Sequence, residues 1–186
     1  MSERPLPPRP GPGAGAARLA EILRVDHAGE LAAVHIYRGH RAVFEAAGMT
    51  EAVERMRVFE AHEAVHLARF DALLTQEQVR PTLMAPVWRA AAFGLGVGAA
   101  LISEKTAHAC TEAVETVIEE HYQRQIAEVG AREPALAAEL AAFRDDETAH
   151  RAQAIELGAA EAPLHGLFGL IVRTGCKLAI KISERV

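Results

Sequence analysis

The sequence predicts an all-α protein, a four-helix bundle carrying additional apolar helical segments. Three observations predict it. Alanine dominates a chain that is 50% apolar and only 5% aromatic, so local propensity favours helix over strand. Apolar residues recur at steps of three and four along four separate stretches, the period of a buried helix face. No hairpin signal and no useful period-two run interrupts them. At 186 residues the chain is long enough for one domain with a substantial core and short for two.

The elements follow in order. Residues 1–17 hold five of the nine prolines and predict a disordered Pro/Gly-rich tail, leaving a single domain over 18–186. The tail lacks the apolar stretch of a secretory signal, so the cytoplasmic side is the default expectation. The first helix spans about 18–47, with Leu19, Leu23, Asp26, Glu30, Val34 and Tyr37 facing inward. Gly48 ends it and Thr50 caps the next. The second helix spans about 51–74, with Val53, Met56, Phe59, Glu63, His66, Phe70 and Leu73 inward. The short link makes the two antiparallel neighbours. Residues 76–86, with Pro81 and Pro86, read as a connector. Residues 90–103 carry no charge, and the helical pattern continues from them as Leu101, Lys105, His108, Glu112, Glu115, Glu119, Tyr122 and Ile126. Gly130 and Pro134 bracket a turn, Pro134 suiting the first turn of a new helix. The fourth stripe is Leu136, Leu140, Phe143, Glu147, His150, Ala154 and Leu157. After Gly158 and Pro163, residues 164–186 are again apolar and helical in pattern.

Charge and cysteine content exclude several classes. A net charge of −5 is no footprint for nucleic acid. Cys110 and Cys176 form no CxxC pair, which argues against a thiolate metal site. Gly94, Gly96 and Gly98 imitate a dinucleotide fingerprint, but no strand precedes them and no βαβ unit follows. Gly94 and Gly98 are better read as a GxxxG face for close helix packing.

The chemistry lies in a repeat. Glu63-Ala-Val-His66 and Glu147-Thr-Ala-His150 each place a carboxylate and an imidazole on one helix face. Each pair follows a lone glutamate on the preceding stripe: Glu30, 33 residues before Glu63, and Glu115, 32 residues before Glu147. A single Glu-x-x-His means little in a chain with nine histidines and 25 acidic residues. All six residues, however, sit on stripes otherwise filled by Leu, Val, Met and Phe. Four carboxylates facing one another in a core require positive charge among them. One Glu from each of two helices plus Glu-x-x-His from two others is the ligand pattern of ferritin-like di-iron and di-manganese bundles. Two divalent ions would neutralise the four carboxylates. Imidazole with carboxylate suits iron or manganese better than zinc or magnesium.

Neighbours can tune such a site. Asp26 or Asp146 can accept the second N–H of a metal-bound histidine. Tyr122 shares the face of Glu115. Glu60 and His62 read as flanking residues.

Beyond the metal pattern, VDHAGE around Glu30, ACTEAVE ending at Glu115, EEHY after it, FRDDETAH around His150 and ISER near the C-terminus resemble the demethoxyubiquinone hydroxylases of ubiquinone biosynthesis. The resemblance covers about residues 19–186. It implies a monooxygenase with two Fe ions that uses O₂ to hydroxylate the ring of a polyprenyl methoxy-methyl-benzoquinol. It implies Glu30, Glu63, His66, Glu115, Glu147 and His150 as ligands, Glu63 and Glu147 as the bridging pair, and His121 and Tyr122 as catalytic residues near the substrate. The alternative is a ferritin-like ferroxidase or peroxide-handling protein with the same ligands.

A substrate with an isoprenoid tail lies in a bilayer. Residues 90–103 are too short to span but suit interfacial insertion. Arg173, Lys177 and Lys181 form a cationic stripe on an apolar helix, a membrane-surface pattern. The expectation is a peripheral protein on the cytoplasmic side of the cell membrane. An apolar channel would lie between the Glu30 and Glu115 helices and these segments. Homo-oligomerisation and contact with other ubiquinone-biosynthesis proteins are left open.

Overall fold

A computed structural model describes residues 15–186. Six helices account for almost all of it: α1 (Ala16–Ala46), α2 (Thr50–Gln76), α3 (Ala85–Ile102), α4 (Glu104–Val129), α5 (Pro134–Glu156) and α6 (His165–Ser183). A short 3₁₀ turn at Ala159–Glu161 precedes α6, and no strand occurs among the described residues. Most of the Pro-rich tail, residues 1–14, lies outside the described residues; α1 already begins at Ala16, two residues before the expected start.

The bundle is two helical hairpins, α1 with α2 and α4 with α5, laid face to face. Their cores are built from the expected stripes. Val53, Met56, Phe59, Phe70 and Leu73 of α2 are all buried, as are Leu140 and Ala154 of α5. Gly48 takes the left-handed conformation (φ +70°) that lets the chain reverse between α1 and α2. Thr50 does not cap α2: it is the first helical residue, Met49 holds the cap position, and no side chain bonds there. Pro134 does occupy the first turn of α5, where its missing N–H costs nothing.

One boundary departs from the sequence-based expectation. Residues 90–126 are not one continuous stripe. Ser103 adopts extended backbone (φ −173°, ψ 162°), ends α3 and caps α4 by accepting a bond from the Thr106 N–H. The break turns α3 out of line with α4, so Leu101 is 70% exposed instead of inward, and Lys105 is also exposed.

α3 instead packs along α1. A Cβ on Gly96 would collide with the Ile36 carbonyl oxygen, and one on Gly39 would lie 2.5 Å from the Phe93 carbonyl oxygen. The two backbones therefore touch through Gly39 and Gly96. Gly94 and Gly98, the pair expected to make the close approach, meet nothing within 4 Å. At 18 residues and a mean hydropathy of 1.4, α3 is long and apolar enough to cross a membrane by length and composition alone, and only 22% of it is buried. α6 packs on α4 beside it, and Trp88 of α3 donates to the Ser183 hydroxyl at the end of α6 (2.9 Å).

Candidate metal centre

All six predicted ligands meet between the two hairpins. Glu63 and Glu147 are 0% exposed, Glu30 and Glu115 1%, His66 3% and His150 4%. Helical spacing explains the convergence: each Glu-x-x-His pair sits one turn apart on a face that α2 or α5 turns inward. The side chains form two groups of four. Glu30, Glu63, His66 and Glu147 offer ligand atoms within 4.8 Å of one another, as do Glu63, Glu115, Glu147 and His150. Glu63 and Glu147 belong to both, the position a bridging pair requires.

Each histidine turns Nδ1 to the carboxylates and Nε2 outward. His66 Nδ1 lies 3.1 Å from Glu147, 3.5 Å from Glu30 and 3.8 Å from Glu63. His150 Nδ1 lies 3.0 Å from Glu63 and 3.2 Å from Glu147. Behind them, His66 Nε2 meets Asp146 at 3.2 Å and His150 Nε2 meets His62 Nδ1 at 3.1 Å. Of the two aspartates considered from the sequence, Asp146 backs a histidine of the centre. Asp26 does not: it accepts from Gln125 at 2.7 Å and lies 3.4 Å from His121 Nε2. Glu60 is flanking, as expected, and pairs with Arg38 and Arg41. His62 is more than a flank, because it touches His150.

The lone glutamates are held by exchanged tyrosines. Tyr37 of α1 donates to Glu115 of α4 at 2.6 Å, and Tyr122 of α4 donates to Glu30 of α1. These are the only two tyrosines in the chain, each seven residues after its own hairpin's glutamate. Tyr37 appeared in the sequence only as an inward-facing residue. The repeated Glu-x₆-Tyr spacing was the available signal for its role.

The electrostatics suit a cation. Burial raises Glu63 and Glu115 well above the usual carboxylate range, with repulsion from Glu147 adding to it. Burial also raises Glu30. At Glu147 burial pushes the same way, but bonds from His150 and His66 outweigh it and the net shift is downward. Burial opposes charge on His66, yet Glu147 and Glu30 carry it up to about 11. A proton on His66 therefore stands in for positive charge that the cluster lacks. Buried oxygens of Glu30, Glu63, Glu115 and Glu147 still have no hydrogen-bond partner among the described residues. Oxygens left unbonded at this depth, converging with two imidazole nitrogens, form the donor set that a pair of hard or borderline divalent ions takes.

Beside the centre lies a cavity of about 470 Å³ between α1, α3, α4 and α6. Val25, Leu95, Val117, Ile118 and Ile171 line it with small residues such as Gly29, Ala92 and Gly175. Its few polar residues include Glu30, Asp26, His121 and Tyr122. His121 and Tyr122 thus both line this cavity, Tyr122 joining it to the centre through its bond to Glu30, and the cavity lies between the helices where an apolar channel was expected.

The sequence model of the family described as Ubiquinone biosynthesis protein COQ7 matches residues 17–183. The chain belongs to this family. Among curated COQ7 relatives, the 3-demethoxyubiquinol 3-hydroxylase of Rhodospirillum rubrum is 43% identical over 177 residues, covering 95% of this chain and 82% of the relative. The NADPH-dependent 3-demethoxyubiquinone 3-hydroxylase, mitochondrial, of Homo sapiens is 37% identical, covering 91% of this chain and 79% of its own length. The 5-demethoxyubiquinone hydroxylase, mitochondrial, of Saccharomyces cerevisiae is 36% identical over 192 residues, covering 93% and 80%.

Proposed function

We propose that the protein is an oxygen-dependent di-iron monooxygenase that hydroxylates the ring of a demethoxyubiquinol in ubiquinone biosynthesis. The observation that carries this is the juncture of two features: a buried Glu₄His₂ cluster in two overlapping groups, and an apolar cavity that reaches one of its members, Glu30. Glu30, Glu63, His66 and Glu147 would hold one iron and Glu63, Glu115, Glu147 and His150 the other, with Glu63 and Glu147 between them. When bound, the iron pair supplies the activation of O₂, one atom going to the ring and the other to water.

The chain's own residues do the rest. Asp146 and His62 fix the outward nitrogens of the two histidines, which sets the ring orientations. Tyr37 and Tyr122 hold the terminal carboxylates. Phe59 packs on the His150 ring at 4.9 Å and Phe143 on the His66 ring at 4.2 Å, so an apolar ring covers each histidine. His121, tied to Gln125 at 2.8 Å and lining the cavity, offers this largely apolar pocket a polar group for a ring oxygen. A ferroxidase needs no such pocket.

The exposed side chains of α3 and α6, among them Phe93, Leu101, Leu167, Leu170 and Ile171, would rest in the membrane surface. There the prenyl tail of the substrate can leave the cavity between the two helices. In this reading the protein is peripheral and works on the cytoplasmic face of the cell membrane.

The test supplies the iron-loaded protein with reduced demethoxyubiquinone, an electron donor and ¹⁸O₂. One labelled oxygen in the quinol ring is expected. Iron oxidation and mineral growth with no labelled quinol would assign the ferroxidase role instead.

A further inference from the structure

The metal centre leaves one pair of buried polar side chains unexplained. His40 on α1 and His108 on α4 are 0% and 1% exposed. All four of their ring nitrogens lack a hydrogen-bond partner among the described residues. The two lie within electrostatic reach of each other across α1 and α4: burial first, and then His108, pushes His40 down to about 3. Burial lowers His108 as well, with Glu104 opposing and Arg55 assisting. Both are therefore neutral imidazoles, each able to donate from one nitrogen and accept at the other. Buried polar atoms are almost always joined to something, and ordered water is the usual partner where protein groups are not.

The pair sits within a file of polar groups. Inward, the His40 ring lies 6.1 Å from the Tyr37 ring in an edge-on arrangement, and Tyr37 donates to Glu115. Outward, His108 Nε2 lies 3.7 Å from Glu104, which is 33% exposed and paired with Arg55 at 2.5 Å. The surroundings, including Phe44, Met56, Phe59 and Ala107, are apolar. The substrate cavity touches Glu30 and not Glu115, so this file meets the centre at a different ligand.

We propose that His40 and His108, bridged by buried water, form a proton-delivery path from Glu104 at the surface, through Tyr37, to the Glu115 side of the metal centre. The inference rests on the oxygenase reading, because that reaction consumes protons inside a dry core. One C–H bond of the ring is replaced by C–OH, O₂ is cleaved, and two electrons from a hydride- or quinol-class donor combine with two protons to leave one water. Neutral imidazoles pass a proton by exchanging tautomers, and the Tyr37 hydroxyl passes one by exchanging its own. Neither the imidazoles nor the phenol needs to hold net charge.

Two measurements test the path. In metal-free protein, nitrogen-15 NMR is expected to show ring N–H protons of His40 and His108 exchanging with solvent faster than backbone amides of the same helical turns. Ring protons as protected as those amides would overturn the path. In iron-loaded protein, His40→Phe, His108→Leu and Glu104→Gln are compared with the parent. The expected result is a fall in kcat of up to about 10²-fold, the usual contribution of a positioned proton-transfer group. KM for the quinol is expected to stay constant, with a larger solvent deuterium isotope effect and more hydrogen peroxide released per O₂ consumed. Unchanged kcat and coupling in all three would refute the proposal. Glu104→Gln alters a partly exposed residue and decides the matter if the core variants do not fold. A parent protein that binds iron but never hydroxylates would refute the oxygenase reading, while the exchange measurement still decides whether the path exists.

Discussion

At the scale of single residues, the exchanged tyrosines distinguish orientation of a carboxylate from its mere presence. Glu115 keeps one oxygen free because Tyr37 occupies the other at 2.6 Å. Tyr37→Phe removes the hydroxyl and preserves the ring's packing against Phe59. We expect iron affinity to fall about 10–100-fold, the usual cost of losing a group that orients a metal ligand. Competition with a chelator measures it, and an unaltered affinity would show that Glu115 needs no such support. The convergence of the six candidate ligands was legible in the sequence, since a Glu-x-x-His pair on an apolar stripe is a local pattern. Their supports were not. Which tyrosine reaches which glutamate, and which of Asp26 and Asp146 backs a histidine, depends on the register between helices.

The same residues give the metal-free protein a distinctive pH response. His66 is raised to about 11, and Glu30, Glu63 and Glu115 are raised as well. For each, the folded state holds a proton that the unfolded state releases earlier, so stability is lost as pH rises. The lowered groups act in the opposite sense but only below their ordinary values: His40, His27 and His108 below about 6.5, Glu147 below about 4.5. Above about pH 6.5 the raised groups act alone. Metal-free protein should thus lose stability steadily from pH 6.5 towards 9, and bound divalent metal should flatten the slope by replacing those protons. Denaturant midpoints across that range, with and without metal, check it. A metal-free midpoint that rises with pH would contradict the sign.

At the scale of elements, α3 is where sequence patterning both informed and misled. Its lack of charge marked it as a separate apolar segment. The three-and-four step, however, ran through Ser103 without a visible break, because a serine N-cap resembles any polar residue on a helix. The GxxxG spacing pointed to Gly94 and Gly98, while the neighbour that decides which glycine is needed, Ile36 of α1, is 60 residues away in the chain. Alanine substitution separates the positions. Gly96→Ala should destabilise by about 1–3 kcal/mol through overpacking. Gly94→Ala and Gly98→Ala, with open space around them, should gain about 0.5–1 kcal/mol by lowering the freedom of the unfolded chain. Thermal unfolding of the three variants tests the order.

At the scale of the whole molecule, most of the exposed large apolar residues belong to α3 and α6. Leu167, Leu170 and Ile171 of α6 are 55%, 57% and 63% exposed, and Leu101 and Phe93 of α3 add to the same kind of surface. Replacing Leu167 and Leu170 by Gln should cut binding to phospholipid vesicles about tenfold or more, since each buried leucine contributes roughly 1.5–3 kcal/mol. Turnover of a short-chain, water-soluble quinol should survive. Co-sedimentation with vesicles and a soluble assay separate the two effects. Arg173 and Lys181 should add a salt-sensitive preference for anionic lipid, whereas Lys177 is engaged with Glu120 at 3.2 Å.

The crossed hydroxyl bonds also bear on how the protein is made. The first hairpin emerges from the ribosome carrying Glu30, Glu63 and His66, but the donor for Glu30 is encoded 92 residues later. A half-synthesised chain has acidic groups without the phenol that aims them. On the di-iron reading, tight capture of metal would wait until the second half has been translated and docked, which would keep a reactive metal out of an unfinished protein.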